Sequence, residues 1–383
     1  MAAGIRRLHM TRMFEALLLA SRERSRLSEI TAVFAKAGLA GFGSRFGLGR
    51  FGAAFGLSAR EGANEADAPA GFRRALEELG PVFVKLGQIL STRGDLLPPA
   101  WIAELSRLQS GAPQLPWSEI RALIEGELGA TPETVFARIE EQALAAASVA
   151  QVHRAWLADG TAVVLKVRRP GLEDVVAADM RLLARLAALA ESRSQEVARY
   201  RPREIVRHLT AAIREELDLS NEGRNAEAIA AEFDGRPEIV IPRIHADYTT
   251  DGLLVQDFLD GIEPAGDGRI EAAGLDGPLL ARRGAEAFLT MVLAHGVFHA
   301  DPHPGNLLAL SGNRVGFIDF GAVGRIGEKR RGQLLSFVGA MVAGRSEQVA
   351  GVLLEWSAET NPDLVRLEAA SDQFIARHGR GSL

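Results

Sequence analysis

The spacing of apolar residues predicts several helices along the chain. Apolar positions recur at helical spacing through residues 68–108 (APAGFRRALEELGPVFVKLGQILSTRGDLLPPAWIAELSRL), where Pro98 and Pro99 predict a division into two helices. Residues 172–193 (LEDVVAADMRLLARLAALAESR) predict one amphipathic helix, and residues 201–233 predict either one more helix or a kinked pair. The chain is therefore expected to be predominantly helical.

Strand-like stretches alternate with these helices. Asp159-Gly160 is a pair that favours a hairpin turn, and it joins two of the stretches. Residues 237–261 hold two more runs around a turn. The remaining strand-like segments are VAQVHRAWL (149–157) and TAVVLKV (161–167), on either side of the turn, and VGFID (315–319). Helices and strands together predict an α+β fold.

Two apolar stretches occur in the last third of the chain. Residues 278–298 (PLLARRGAEAFLTMVLAHGVF) predict a helix that ends at Gly296. Residues 334–344 (LLSFVGAMVAG) are too short to span a bilayer, which takes about 20 apolar residues, and predict a buried helix instead. FEALLLAS (14–21) is followed by a charged run and does not resemble a secretory signal. A cytoplasmic location is expected.

Composition and charge exclude several classes of function. The formal net charge of −5 argues against binding of nucleic acid. The chain has no cysteine, which excludes disulfides, thiolate metal sites and cysteine nucleophiles. Residues 1–60, by contrast, hold ten basic and three acidic residues. Two interpretations of this leader stay open: peripheral contact with the inner face of a membrane, or a flexible terminal segment.

The stretch HGVFHADPHPGNLL (295–308) is the densest cluster of candidate catalytic side chains. It holds three histidines, Asp301 and Asn306, which suits either a metal site or a catalytic loop. The strand VGFID follows and delivers Asp319 to the turn Asp319-Phe320-Gly321. The metal and catalytic-loop interpretations predict different partners elsewhere in the chain.

Lys166 and the residues before it supply such partners. The small-residue loop LAAASVA (144–150) lets a backbone approach a ligand closely, which suits a phosphate. Lys166 stands inside an apolar strand and needs an opposite charge or a phosphate, unless it lies on an edge strand and extends to water. Residues 215–222 hold several acids, and Lys85 and Gln88 share one face of an earlier helix.

The order of these parts is that of a protein-kinase site. A phosphate loop, a strand lysine, a helix glutamate, a catalytic loop with Asp and Asn, and an Asp-Phe-Gly follow one another. Asp301 and Asn306 have the separation that the kinase catalytic loop requires. One such motif is weak evidence, whereas all of them in this order are strong evidence for a kinase-like site.

Six motifs together resemble the UbiB/AarF family of atypical kinase-like proteins, which includes coenzyme Q biosynthesis ATPases. They are KLGQ (85–88), AAASVAQVHRA (145–155), LKVRRPG (165–171), EELDLSNEGRN (215–225), FHADPHPGN (298–306) and IDFGAVG (318–324). The resemblance covers about residues 70–383. It implies a two-lobed protein-kinase-like fold with an added N-terminal helical extension over the active site. It also implies an ATPase or a small-molecule or lipid kinase that supports ubiquinone (isoprenoid-quinone) biosynthesis.

The resemblance also divides the chain. The expected domains are a basic, Gly/Phe-rich leader (1–70), a helical extension with the Lys-x-Gly-Gln motif (71–113), an N-lobe with a helical insertion (114–258) and a C-lobe (259–383). Family members commonly carry hydrophobic C-terminal membrane segments, whereas this sequence ends at RHGRGSL without one. It is expected to be either a short member or a truncated sequence.

Roles of individual residues follow from the same resemblance. Lys166 would hold the α- and β-phosphates of ATP and pair with Glu222, and Asp301 would accept a proton from a hydroxyl or a water. Asn306 and Asp319 would bind Mg²⁺, and Lys85 and Gln88 would meet Glu216 and Asp218 as a regulatory set. The loop that would cover the nucleotide consists of Leu144, Ala145, Ala146, Ala147, Ser148, Val149, Ala150, Gln151 and Val152. Partners implied are ATP and an isoprenoid-quinone precursor or lipid.

One departure and two rival functions qualify this interpretation. Lys166 and Glu222 are far apart in sequence, so residues 172–193 must be an insertion. A non-haem iron oxygenase could use His299 and Asp301 with a distant histidine, but this hypothesis leaves Lys166 and the Asp-Phe-Gly turn unexplained. On the kinase-like interpretation, His295 and His303 are predicted to be loop-packing residues. A nucleotide-binding pseudokinase scaffold is the third hypothesis.

Overall fold

The computed structural model describes residues 25–34, 36–37, 68–94, 96–108, 112–193, 198–357 and 363–378. Most of the predicted basic leader therefore lies outside the described residues. The chain forms two compact units, Met1–Asn221 with His245–Asp257, and Glu222–Ile244 with Phe258–Leu383. We call them the first and the second unit. The four domain boundaries expected from the sequence stay predictions.

Both units contain helices and strands, and residues 25–34 are also helical. The helices are α1 Ala68–Leu79, α2 Pro81–Ser91, α3 Pro99–Leu105, α4 Trp117–Leu128, α5 Leu172–Arg193, α6 Pro202–Leu217, α7 Leu219–Glu232, α8 Arg269–Ala272, α9 Gly277–Leu289, α10 Glu328–Val342, α11 Ser346–Trp356 and α12 Leu364–His378. The strands are β1 Phe136–Ile139, β2 Ala145–Ala146, β3 Ala150–Leu157, β4 Ala162–Arg168, β5 Ile239–Val240, β6 Leu253–Asp257, β7 Gly261–Ile262, β8 Val297–His299, β9 Leu307–Leu310, β10 Arg314–Phe317 and β11 Val323–Arg325. Among the described residues, no helix is both long and apolar enough to cross a membrane.

The first unit contains an antiparallel sheet in the order β1-β3-β4-β6, with β2 paired to β3. The predicted hairpin is confirmed: Gly160 turns the chain at a φ of 87°, and Thr161 N donates to Asp159 Oδ1 over 2.9 Å. Leu165 alternates with its neighbours along β4 and packs with Ile120 and Ile124 of α4. One face of the sheet is therefore closed by a helix, as its period-2 pattern requires.

The N-terminal helices of the first unit differ from the prediction. Residues 68–108 form three helices, because the chain also breaks between α1 and α2. Gly80 takes a φ of 98°, which few other residues adopt, and Pro81 begins α2 at a position that needs no N–H partner. The division at Pro98 and Pro99 is confirmed, since α3 begins there.

Gly87 of the Lys-Leu-Gly-Gln motif is a packing residue. A Cβ at this position would lie 2.3 Å from Leu108 Cδ1 and 2.7 Å from Leu76 Cδ1. Leu76 and Leu108 belong to the buried core that α1 and α2 share with α5 and α6. This glycine therefore sets how closely α2 approaches its neighbours.

Gly87→Ala is expected to destabilise the protein. Overpacking costs about 1–3 kcal/mol, while alanine in a helix recovers at most about 1 kcal/mol, so the free energy of unfolding should fall. Gly126→Ala on α4 is the matched control, because a Cβ there meets nothing within 4 Å. Urea unfolding should show a lower midpoint for the first variant and an equal or higher one for the second. An equal gain in both would mean that the core adjusts freely around residue 87.

A kinked pair, rather than one helix, forms residues 202–232. The helices α6 and α7 are separated by Asp218, whose backbone is extended at φ −97° and ψ 94°. Asp218 Oδ1 accepts hydrogen bonds from Ser220 N (3.0 Å) and Ser220 Oγ (2.5 Å), as an N-cap residue does. Asp218, an acid of the predicted regulatory set, thus caps the N-terminus of α7.

In the second unit, one sheet has the order β5-β10-β9-β7, and β8 pairs with β11. β5 is parallel to β10, whereas the other pairs are antiparallel. The two strand-like runs of residues 237–261 therefore belong to different sheets: β5 joins the second unit and β6 the first. The predicted helix of residues 278–298 is α9, continued by a π-helical turn Thr290–His295 and ended by Gly296.

The prediction of a buried helix at residues 334–344 is wrong. These residues form the second half of α10 and the turn after it, and only Ala340 among the residues of α10 is buried. Leu335, Val338 and Val342 are 47%, 37% and 63% exposed. An uninterrupted apolar run indicates burial only when neighbouring elements cover it, and the sequence does not show which elements those are.

Candidate functional site

Lys166 lies on the interior strand β4, between β3 and β6. Its cross-strand neighbours are Val152 and Leu254. The edge-strand interpretation is therefore wrong. Because side chains alternate across a strand, half-buried Lys166 faces away from Leu165 and Val167, which are fully buried. The strand thus presents Lys166 on the face of the sheet opposite its apolar core, together with Arg168, whose guanidinium pairs with Glu173 and Asp251.

The predicted alanine loop is partly a hairpin. Ala145 and Ala146 form β2, which pairs with Val152 and Gln151 of β3. The turn is closed by Ala147 N, which donates to Ala150 O over 2.8 Å. Only the tip of the hairpin, centred on Ser148, has a loop conformation, and backbone pairing holds the remainder.

Arg169 fixes this hairpin, and the sequence analysis missed it. Its Nε donates to Ala147 O (2.8 Å), its Nη2 donates to Pro113 O (2.6 Å), and its backbone N donates to Val149 O (2.9 Å). Burial lowers the pKa of the Arg169 guanidinium. Because its side-chain acceptors are backbone carbonyls, no acidic partner in the sequence could have indicated this role.

Gln151 and Val149 differ from the exposed members of the loop. The Gln151 side chain is buried, where Oε1 accepts from Leu115 N over 2.7 Å and Nε2 lies 3.0 Å from His153 Nε2. Val149 and Ala150 are also buried, whereas Leu144 is half exposed. The side chains of these three buried residues are thus core or framework groups, and the hairpin can meet a nucleotide only through its backbone and exposed side chains.

Lys85 and Glu216 are brought together by α2 and α6. Lys85 Nζ lies 2.9 Å from Glu216 Oε2, and the two side chains are 26% and 29% exposed. Oε2 itself is shielded from solvent and receives no well-aligned hydrogen bond among the described residues. The contact is therefore mainly electrostatic. Gln88, on the same helix, is half-buried.

Asp301 and Asn306 are held in one loop of the second unit. Asn306 Nδ2 donates to Asp301 O over 3.0 Å, and Asn306 N donates to His303 O over 2.9 Å. His303 Nδ1 accepts from Gly305 N over 3.0 Å. The side chains of Asp301 and His303 are exposed, with Asp301 Oδ2 3.8 Å from His303 Nε2. The loop thus fixes its backbone and leaves the Asp301 carboxylate accessible.

Asp319 is tied to the same loop through the backbone. Ile318 N donates to Asn306 O over 3.1 Å, and Ala300 N donates to Ala322 O over 2.8 Å. Asp319 Oδ1 accepts from Gly321 N over 2.9 Å, which orients the carboxylate. Asp301, Asn306 and Asp319 therefore belong to one hydrogen-bonded constellation within the second unit.

Helix α7 holds the Asp-Phe-Gly turn. Phe320 N lies 3.4 Å from Glu222 Oε1, to which it donates, and Phe320 O accepts from Asn225 Nδ2 over 3.1 Å. Glu222 is buried, as a helix glutamate with an internal partner should be. The two contacts explain how this turn keeps its conformation. Pairing of Glu222 with Lys166 stays a prediction.

His299 is a buried framework residue. It is fully buried beside Phe317 and Phe320, with ring centroids 6.1 and 5.7 Å away. Its Nδ1 accepts from Asp301 N over 3.1 Å. Burial lowers the pKa of His299, although the carboxylates of Asp319 and Asp301 oppose this shift. The oxygenase hypothesis needs the ring as a metal ligand, whereas here it supports the backbone of Asp301.

Stability is expected to fall as the pH drops below about 6.5. The depressed pKa of His299 means that the unfolded chain takes up protons which the folded chain excludes, so stability is lost on acidification through this range. Burial lowers the pKa of His153 in the same direction. Urea unfolding between pH 8 and pH 5.5 measures the slope. His299→Asn keeps an acceptor for Asp301 N without a titrating ring, and should reduce the slope; an unchanged slope would contradict this assignment.

A strand lysine in the first unit, and a connected Asp-Asn loop with an Asp-Phe-Gly turn in the second, define a protein-kinase-like protein. A family model of the "ABC1 atypical kinase-like domain" matches residues 107–353. The chain therefore belongs to this family, which confirms the resemblance and the fold class derived from the sequence.

Individual relatives agree with the family. The chain is 44% identical over 258 residues to "Probable protein kinase UbiB" of Marinobacter nauticus, and 42% identical over 235 residues to the protein of the same name from Cellvibrio japonicus. These matches cover 66% and 61% of this chain but 47% and 43% of the relatives. The chain thus spans about half the length of the curated relatives it matches.

A solved structure confirms the fold alone. The complex of Rv3197 with erythromycin from Mycobacterium tuberculosis superposes with a TM-score of 0.58 at 24% identity, covering 79% of this chain and 76% of that one. The kinase-like membership leaves the oxygenase hypothesis without support. The roles of individual site residues remain predictions.

Proposed function

We propose that this protein binds Mg²⁺-ATP and either hydrolyses it or transfers its terminal phosphoryl group, in support of isoprenoid-quinone synthesis. The observation that carries the proposal is the connected constellation of Asp301, Asn306 and Asp319 in the second unit. A kinase needs one carboxylate near the attacking hydroxyl and two oxygen ligands for metal ions, in a fixed arrangement. These three residues supply those groups on one backbone framework.

The donor set suits Mg²⁺. Asp319 offers a carboxylate, and Asn306 uses Nδ2 to donate to Asp301 O, which leaves its carboxamide oxygen as the acceptor end. Mg²⁺ prefers such oxygen ligands and binds substrate phosphates at the same time. When bound, the metal would neutralise charge on the phosphates.

The chain's own residues then divide the remaining work. Asp301 would orient the attacking hydroxyl or water and accept its proton. Lys166 would bind phosphate oxygens as a point charge, which its half-buried place on an interior strand favours. Glu222 and Asn225 would keep Asp319 in place by holding the turn that follows it.

The proposed pathway and substrate are inferred from the relatives. Two of them are named "Probable protein kinase UbiB", and the family resemblance links that name to ubiquinone biosynthesis. We therefore propose an isoprenoid-quinone precursor or a lipid as the acceptor or effector. Peripheral membrane contact through the basic leader is part of the same proposal.

ATP turnover by the purified chain tests the proposal. Mg²⁺-ATP binding is measured by calorimetry, and phosphate release is measured separately, with and without anionic liposomes. Binding with turnover supports an ATPase or kinase. Binding without turnover under every condition would favour the pseudokinase hypothesis. Absence of Mg²⁺-ATP binding would reject both.

Ala147→Gly is expected to change nucleotide affinity. Glycine opens backbone conformations that alanine disfavours, and Ala147 O is one anchor of the hairpin through Arg169. A several-fold change in the Kd of ADP is expected, since about 1 kcal/mol corresponds to about fivefold. Ala158→Gly, in the β3–β4 turn, is the control. Equal ADP affinities in wild type and both variants would mean that this hairpin does not contact the nucleotide.

A further inference from the structure

Residues 112–116 (APQLP), which we call the linker, lie beside the hairpin of residues 144–152 and lead into α4. Ala112 N donates to Ala146 O over 3.1 Å. Ala146 belongs to β2, the first strand of the hairpin, which pairs with β3. The strand β2 is therefore bonded to the linker as well as to β3.

A buried glutamine attaches the linker to β3. Gln151 Oε1 accepts from Leu115 N over 2.7 Å, and Gln151 Nε2 donates to Leu115 O over 3.3 Å. The Leu115 side chain packs against the apolar core of the sheet. Pro113 and Pro116 restrict the backbone between and after these contacts. A short segment with these restraints is stiff, so it should move together with the hairpin.

Arg169 bridges the linker and the hairpin. One guanidinium donates through Nη2 to Pro113 O of the linker (2.6 Å) and through Nε to Ala147 O of the hairpin (2.8 Å), while Arg169 N donates to Val149 O (2.9 Å). A guanidinium is planar and presents its donors in a fixed fork, so it sets the separation of the two carbonyl groups that it binds. Arg169 follows β4 directly, so the strand that carries Lys166 continues into the residue that fixes the hairpin.

We propose that Arg169 and Gln151 are positioning residues, which hold the hairpin against the linker and thereby set its affinity for the phosphates of a nucleotide. The inference rests on the function proposed above and adds a means of regulation. Because the linker follows α1–α3 in the chain and leads into α4, a displacement of those first helices would reach the hairpin through residues 112–116. A hairpin whose backbone is already fixed loses less conformational entropy when it binds a phosphate, so neither side chain needs to touch the nucleotide.

Calorimetry of the full chain with Mg²⁺-ADP and with adenosine tests the role of Arg169. Arg169→Met should weaken Mg²⁺-ADP binding at least about fivefold, which corresponds to about 1 kcal/mol, the typical net contribution of one hydrogen bond. Adenosine has no phosphate, so its affinity should stay close to the wild-type value. An equal loss for both ligands, or an unchanged affinity for Mg²⁺-ADP, would overturn the proposal.

Two further variants separate bridging from charge and from general effects. Arg169→Lys keeps the positive charge but replaces the fork by one ammonium group, so it should lose most of the affinity that Arg169→Met loses. Wild-type Mg²⁺-ADP affinity in Arg169→Lys would overturn the bridging role. Arg121→Met is the matched control, because Arg121 lies on α4 of the same unit and pairs with Glu125 and Glu133. It should bind Mg²⁺-ADP as the wild type does, and a loss equal to that of Arg169→Met would also overturn the proposal.

Hydrogen exchange in the wild type tests the linker without any substitution. Pro113 and Pro116 have no N–H, so the exchangeable backbone amides of the linker are those of Ala112, Gln114 and Leu115, of which the first and the last donate to hairpin residues. Saturating Mg²⁺-ADP should slow exchange in peptides covering residues 112–116 at least about fivefold, the lower end of typical coupling factors, because coupling between two sites is reciprocal. Unchanged exchange of the linker would contradict the inference.

Mg²⁺-ADP binding by the wild type distinguishes this inference from the function on which it rests. A wild type that binds no Mg²⁺-ADP rejects both. Binding that does not depend on Arg169 rejects the positioning role alone and leaves the proposed function intact.

Discussion

Asp319→Asn is expected to lower ATP turnover by at least about 100-fold, the scale on which the loss of one electrostatic contact to a transition state is measured. The substitution removes the negative charge that the proposed Mg²⁺ ligand supplies. The fold should survive, because the asparagine Oδ1 can still accept the hydrogen bond that Gly321 N now donates to Asp319 Oδ1. Loss of activity should therefore occur without loss of stability.

Two measurements and one control make this result specific. Calorimetry should show weaker Mg²⁺-ATP binding, and the midpoint of urea unfolding without nucleotide should stay close to that of the wild type. Asp234→Asn replaces an exposed aspartate of the same unit and should leave both binding and turnover unchanged. Unchanged Mg²⁺-ATP affinity in the Asp319→Asn variant would mean that Asp319 is not a ligand of the metal.

Lys85→Ala should lower stability and alter catalysis. Its partner Glu216 Oε2 is shielded from solvent at 2.9 Å, so the substitution leaves a carboxylate with neither a counter-charge nor full hydration. Exposed pairs contribute about 0–1 kcal/mol, and breaking a fully buried pair costs about 3–5 kcal/mol. The side chains of Lys85 and Glu216 are 26% and 29% exposed, so the pair lies between these two cases. We therefore expect a coupling energy of about 1–2 kcal/mol between the two residues.

A double-mutant cycle with Glu216→Ala measures this coupling directly. Glu216→Ala removes the carboxylate that Lys85→Ala leaves without a counter-charge. The double variant should therefore be more stable than the sum of the two single-variant effects predicts. The pair Lys36–Glu78 is the matched control, since its atoms lie 3.0 Å apart but its side chains are 73% and 47% exposed. Its cycle should give less than about 0.5 kcal/mol.

Catalysis gives the second readout for Lys85. If the Lys-x-Gly-Gln helix restrains the proposed site, the single variant should change ATP turnover or permit autophosphorylation, and Lys36→Ala should not. Coupling near zero together with wild-type turnover would mean that α2 only packs against its neighbours. The preference for a lipid-pathway ATPase over a conventional protein kinase would then lose its main structural argument.

Local signals in the sequence predicted much of the fold. The Asp159-Gly160 turn, the strand that carries Lys166 and the helix that ends at Gly296 were all derived from short-range patterns. Backbone preference and side-chain alternation act between neighbours, so a short window contains the information. The break at Gly80 was missed, because the apolar period continues across it while the backbone turns.

The candidate site was predictable as a set of residues rather than as a set of contacts. The separation of Asp301 and Asn306 was visible in the sequence, but the hydrogen bond from Asn306 Nδ2 to Asp301 O was not. No pattern in the sequence indicated the role of Arg169, because its side chain donates to the backbone carbonyl groups of Ala147 and Pro113. Every residue has a carbonyl, so such partners leave no trace in side-chain patterns.

The sequence by itself determined the order of the kinase-like motifs, the type of most elements and membership of a kinase-like family. Only the tertiary structure decided which acid meets Lys85: Glu216 lies 2.9 Å from its ammonium group, whereas Asp218 caps α7 through Ser220. It also decided that α10 is exposed and that Arg169 bridges Ala147 and Pro113. Charge pairing and burial depend on distances between elements far apart in the chain, and these distances are set when the core packs.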